Sequence, residues 1–310
     1  MNAEVRSPQV RYEEVDVSDW AIWREEAQGT KPKRWLIEPE TDVGWLLKLS
    51  TWNRLHDGTV YRKGDDWSER VACGVAIGLG LPTACAELAL SRSGGKLEYG
   101  VISRDVRSES REGAGAKGEE LIDGNELLAE PVVGRDRDTY TIDAVRVALT
   151  GVEVPAGCEL ALTAWDVFVG YLVLDAIVGN TDRHEENWAI IVGAGGRRLA
   201  PSFDHASCLG FQLADEQRTD RLTTRDGGYT PEAYADRARS PFAGRPHPVD
   251  VARRALSMAD TAQGLPWLGR TAEADALVEP IWAVPNNRMS GAAREFAERV
   301  LRRNFQRLLA

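Results

Sequence analysis

The sequence predicts an α+β fold in two lobes, a small β-rich N-terminal lobe followed by a mainly helical C-terminal lobe. Three observations predict it. Between residues 30 and 103, short apolar runs of strand length flank one stretch of helical period, in the order β-β-α-β-β. Residues 104–120 are rich in charge and glycine and carry no period, the composition of a linker or mobile loop. From about Leu121 onward the pattern turns helical. The expected divisions are therefore 1–103, 104–120 and 121–310.

The elements follow in chain order. Residues 1–27 are charged, with scattered aromatics (Tyr12, Trp20, Trp23), and read as an arm that docks on the first lobe. Arg34–Ile37 and Gly44–Leu49 are strand-like runs separated by a turn containing Pro39, an antiparallel pair. A charged loop, 57–66, leads to a helix from Ser68, its expected N-cap, to Leu79, stopped by Gly80-Leu81-Pro82. Ala84–Ser91 and Lys96–Ser103 form a hairpin about Ser93-Gly94-Gly95. Leu162, Trp165, Val169, Leu172, Val173 and Ala176 mark one face of a strong helix that runs into Gly179. Trp188–Val192 and Arg198–Ala200 make a second hairpin, and helices follow the polar stretch 214–240, the last from Ala292 to Leu309.

Composition narrows the function classes. The net charge of −10, with no basic run, disfavours nucleic acid as the primary ligand. No apolar run reaches membrane-spanning length, and the N-terminus lacks an apolar signal core, which points to a cytoplasmic protein. Four cysteines form no zinc-type spacing, and three of them sit in apolar surroundings as small core residues. Only six of the 38 basic residues are lysines, and none follows Lys117. That scarcity draws attention to Lys48, which lies mid-strand on the face shared with Leu46, opposite Trp45, Leu47 and Leu49.

The most informative stretch is Gly179-Asn180-Thr181-Asp182-Arg183-His184-Glu185-Glu186-Asn187, followed after one hairpin by Phe203-Asp204. Paired strands return Asp204 close to Asn187, and a carboxylate opposite an amide there is costly unless a cation lies between them. A carboxylate to orient an attacking hydroxyl, with an amide and a second carboxylate to hold Mg²⁺, is the set that phosphoryl transfer from ATP requires. Asp182 to Asn187 has the D-x-x-x-x-N spacing of a kinase catalytic loop. Glu69, in the first turn of its helix, is either a favourable charge at that terminus or the ion-pair partner of Lys48. Gly29-Thr30-Lys31-Pro32-Lys33 is a turn able to cradle phosphate, though it is neither a Walker A motif nor G-x-G-x-x-G.

The segment Gly179 to Trp188, with Leu199-Ala200-Pro201-Ser202-Phe203-Asp204-His205-Ala206, resembles the HipA-like serine/threonine kinase family, which has a two-lobed protein-kinase-like fold related to phosphatidylinositol 3/4-kinases. The likeness spans residues 28–210 and, more loosely, the final helix. It implies ATP and Mg²⁺ as cofactors, Lys48 on phosphate, Glu69 as its partner, Asp182 as catalytic base, and Asn187 and Asp204 as metal ligands. It also implies phosphate contacts from Gly29, Thr30, Lys31 and Lys33, and, from position in the fourth strand, an adenine-contacting hinge at Val101, Ile102 and Ser103. His184 would orient the loop or a phosphate, and 205–229 would serve as an activation or substrate loop. The implied acceptor is a Ser or Thr hydroxyl of a protein or peptide, with a small-molecule alcohol or an idle nucleotide-binding module as alternatives. The chain before Gly29 is expected to be too short for the extra N-terminal subdomain of the toxin of this family.

Overall fold

Strand pairing sets the frame of the N-terminal part. The computed structural model describes residues 11–26, 33–107, 118–134, 136–158, 161–260 and 274–310. Six strands form one sheet: β1 (Glu14–Asp16), β2 (Ala21–Glu26), β3 (Lys33–Ile37), β4 (Gly44–Leu49), β7 (Ala86–Ser93) and β8 (Lys96–Arg104), in the order β1-β7-β8-β4-β3-β2. The arm before residue 27 thus supplies both edges, β1 running parallel to β7 and β2 antiparallel to β3. The expected pairs β3–β4 and β7–β8 are present, the latter closing at Gly94 (φ +58°) and Gly95 (φ +78°), as a type I′ turn demands. Period-two alternation sends Trp45, Leu47 and Ile102 to one face, where they pack with Val17, Leu36 and Ala89.

The charged loop 57–66 is partly a hairpin, β5 (Trp52–Arg54) with β6 (Val60–Arg62). Helix α1 (Asp65–Gly78) begins earlier than the apolar period suggests, and Ser68 is not its cap. Asp65 instead anchors the first turn by accepting from Thr51 N (2.8 Å) and Oγ1 (2.6 Å), while Ser68 Oγ donates to Ala206 O at 2.6 Å. The period around Leu121 also misleads, because β9 (Glu120–Asp123) is a strand that joins the second hairpin, β10 (Ala189–Gly193) with β11 (Gly196–Leu199), in the order β11-β10-β9. The expected linker at 104–120 therefore opens at the end of β8 and closes at the start of β9, and residues 108–117 lie outside the described ones.

The remaining α-helices among the described residues are α2 (Gly124–Leu127), α3 (Ile142–Ala148), α4 (Ala164–Val178), α5 (Asp215–Thr223), α6 (Pro231–Asp236), α7 (Pro248–Ser257), α8 (Ala274–Ala283) and α9 (Gly291–Leu309). Helix α4 is the axis of the main core. Every residue of it is buried, rather than one face alone, so its apolar signal encircles it. A capping box pairs Thr163 with Asp166 at its start. Gly179 (φ +67°) ends it in the left-handed conformation, where an added Cβ would lie 2.9 Å from Asn304 Nδ2. Of the cysteines, Cys73 and Cys208 are buried in hydrophobic clusters, Cys158 is half-buried against the main core and Cys85 is exposed. Among the described residues, no helix is long and apolar enough to cross a membrane.

Candidate active site

The loop that leaves α4 is folded around one buried arginine. Arg183 Nε and Nη2 meet Asp175 at 2.7 and 3.0 Å, Nη1 donates to Asn187 O (2.7 Å) and Phe203 O (3.3 Å), and Nη2 also donates to Ser202 Oγ (2.9 Å). One side chain thus fastens the two chain segments that carry Asn187 and Asp204. Asn180 completes the arrangement by donating to Asp175 (2.8 Å) and accepting from Asp182 N (3.0 Å). Tyr140 OH donates to Arg183 O at 2.9 Å. Burying this charge is tolerable because its partner and hydrogen bonds are all supplied. Arg183 and Asp175 were not singled out in the sequence, although the arginine beside Asp182 was there to be read.

Sequence-predicted residues from both sides then converge on a cleft of about 1060 Å³, lined by Lys33, Lys48, Val101, Ser103, Asp182, His184, Asn187 and Asp204 among others. Ile102 does not line it, since strand alternation turns that residue into the core behind the sheet, which corrects the hinge expectation. Gly29, Thr30 and Lys31 lie outside the described residues. Lys33 stands directly across from Lys48 in the β3–β4 register.

Lys48 Nζ reaches Asp204 Oδ1 at 2.9 Å, with 14% of its side chain exposed. Burial favours the neutral form of Asp204, but the Lys48 ammonium, with Lys33 and His205 nearby, outweighs it and holds the carboxyl well below the usual carboxylate range. Asp204 itself has φ +57°, a conformation uncommon for a residue with a Cβ and found at constrained functional positions. Glu69 is buried behind the cleft and is engaged by His205, whose backbone N–H and ring Nδ1 lie 2.8 and 3.2 Å from its two oxygens. Burial again works against its charge, yet the His205 hydrogen bond and the Lys48 ammonium leave its pKa below the ordinary value. The partnership expected between Lys48 and Glu69 is therefore a chain through the Asp204–His205 segment, with Lys48 near enough to act on Glu69 electrostatically.

Asp182 stands at the cleft wall with half its side chain exposed. Partial burial raises its pKa, the Asp204 charge adds to this, and His184 and Ser207 work against it. Ser207 Oγ donates to Asp182 Oδ2 at 3.3 Å, so this carboxylate already accepts a hydroxyl. His184 Nε2 lies 3.9 Å from Asp182 Oδ1, and its Nδ1 accepts from Glu186 N at 3.2 Å. Asn187 Nδ2 donates to Asp182 O at 2.6 Å, which uses one of its two amide hydrogens and leaves Oδ1 as the atom that could ligate a cation.

The oxygen donors Asp204, Asn187 Oδ1 and, nearby, Asp182 suit Mg²⁺, which is usually held by one or two protein ligands plus phosphate rather than an all-protein cage. Asp182 and Asp204 are close enough to repel, and Lys33 and Lys48 lie side by side, so the cleft brings together like charges of both signs. The expected activation loop is different in kind from the sequence reading. Within 205–229, residues Asp215–Thr223 are helix α5 and Gly227–Tyr229 a 3₁₀ turn.

No family model matches the chain, and no curated protein matches it in sequence. Solved structures do. The Helicobacter pylori proinflammatory kinase CtkA is similar over 95% of this chain and 95% of its own, at 19% identity and a TM-score of 0.65. Shewanella oneidensis HipA, solved in a toxin–antitoxin complex with HipB and operator DNA, is similar over 93% of this chain and 66% of its own, at 12% identity and a TM-score of 0.57. The chain has the HipA-like kinase fold. Identities this low speak for the fold alone, and the chemistry is argued from the site.

Proposed function

We propose that the chain is an ATP- and Mg²⁺-dependent phosphotransferase acting on a Ser or Thr hydroxyl of a protein or peptide. The observation that carries this reading is the convergence of Lys48, Asp182, Asn187 and Asp204 on one cleft. Leu46, Ala84, Val101, Ser103, Ala189 and Phe203, which are among the residues lining the cleft, would contact adenine. Lys48 and Lys33 would hold phosphate oxygens. Asn187 Oδ1 and the Asp204 carboxylate would hold Mg²⁺, which supplies neutralisation of phosphate charge when bound. Asp182 Oδ2, where Ser207 now donates, would accept the hydrogen bond of the incoming hydroxyl and take its proton.

Incubation with terminally labelled ATP and Mg²⁺, alone and with cell extract, tests the proposal. Label on protein hydroxyls, absent with Asp182→Asn, is the expected result. Label on a small molecule would redirect the acceptor class, and tight nucleotide binding with no transfer to any acceptor would overturn the enzymatic reading.

A further inference from the structure

Behind the cleft runs a buried series of polar contacts that the reading above does not use. Arg183 Nη2 donates to Ser202 Oγ (2.9 Å), Ser202 Oγ lies 2.7 Å from His205 Nε2, and His205 Nδ1 lies 3.2 Å from Glu69 Oε1. Ser202, His205 and Glu69 are each at most 2% exposed. An arginine nitrogen can only donate, so the Ser202 oxygen accepts there and its own hydrogen is free for His205. His205 Nδ1 then carries a hydrogen toward the Glu69 carboxylate, and Nε2 faces the Ser202 hydroxyl, which can donate to it or accept from it. A bare Nδ1 would instead set its lone pair against a carboxylate oxygen. The backbone N–H of His205 donates to the other Glu69 oxygen at 2.8 Å, so α1 grips both ends of this one residue.

We propose that His205 is the positioning residue that fixes Asp204 against Lys48 and the proposed metal position. The inference rests on the phosphotransferase reading. Asp204, the next residue back, sits at φ +57°, and such a conformation persists where surrounding structure over-determines it. Three anchors do so here. Lys48 holds its carboxylate, and Glu69 and Ser202 hold the ring and backbone of its neighbour. Asparagine can replace both ring contacts, its N–H₂ facing Glu69 and its oxygen facing Ser202, whereas leucine fills the volume without either bond.

Two measurements test this. Selective ¹⁵N labelling of histidine, with the resonance assigned by its loss in His205→Asn, reads the ring directly. A hydrogen on Nδ1 is expected, and a ring with Nδ1 bare would overturn the contact with Glu69. Groups that orient a metal ligand typically change metal affinity or activity by about 10–100-fold when removed. His205→Leu should therefore raise the Mg²⁺ concentration needed for half-maximal binding of a fluorescent ATP analogue by about tenfold or more, with kcat falling in parallel. His205→Asn should recover at least a third of the wild-type values. Equal loss in both variants, or loss in neither, would overturn the positioning role. A wild type that binds Mg²⁺–nucleotide but transfers no phosphate would sink the phosphotransferase reading alone, because the Nδ1 hydrogen and the binding comparison would still be read.

Discussion

Lys33 and Lys48 face each other across adjacent strands, an arrangement that repels unless an anion answers it, and in this structure Asp204 supplies that anion. The pair has a pH signature. A carboxyl held below its ordinary value near 3.8 contributes stability that is complete above that value and drains away as pH falls beneath it. Lys48→Met should therefore unfold at lower urea than wild type at pH 7, and the gap between the midpoints should narrow as pH drops below about 4. Asp182 carries the opposite shift. As the proposed base, Asp182 would lose its function as pH falls through that raised value, so the acidic limb of the pH–rate profile should lie above the ordinary carboxylate position. Asp182→Asn should lower kcat by about 10²–10⁴-fold with nucleotide affinity retained, measured by single-turnover transfer and by equilibrium titration. These groups were legible in the sequence because spacing and scarcity marked them. Arg183, Ser202 and His205 gave no such mark, since their meaning lies in what they touch across the fold.

At the level of elements, period and turn chemistry were the readable signals, and they failed where a third partner decided the outcome. The β3–β4 and β7–β8 pairs were clear because alternation and a Gly-Gly turn agree. Strand β9 was hidden because its four residues match no period and owe their conformation to pairing with β10. The start of α1 was missed because Asp65 and Asp66 read as loop, while in the fold their charges are taken up by Thr51, Arg62 and Arg288. Helix α4 shows how little slack the loop carrying Asp182 and Asn187 has at its root. A side chain at Gly179 must adopt a left-handed backbone and press on Asn304, so Gly179→Ala should cost about 1–2 kcal/mol or more. Calorimetry should record a melting temperature lower by several degrees, and an unchanged value would contradict the packing described.

Across the whole molecule, a buried arginine helps tie the N-terminal sheet to the helical part. Arg288, which precedes α9, is buried against Glu14 through Nε, Asp66 Oδ2 at 2.8 Å and Ala89 O at 2.6 Å. Arg62 shares Asp66 at 2.7 Å and donates to Arg288 O at 2.9 Å. No sequence pattern announces this network, because Glu14, Asp66, Ala89 and Arg288 are drawn from remote parts of the chain. Removing one member of a buried ionic set costs about 3–5 kcal/mol, since the charges left behind have no water to turn to. Arg288→Met should lose about that much in chemical denaturation, and Arg288→Lys should fail to restore it, because an ammonium cannot reproduce the planar fork.

The bond between Lys48 and Asp204 makes the resting molecule self-sufficient. Each charge is already answered from the far side of the opening, so the fold has no need of a divalent ion to keep its shape. Chelator treatment should leave the unfolding curve where it was, while catalysis stops and then resumes when magnesium is resupplied.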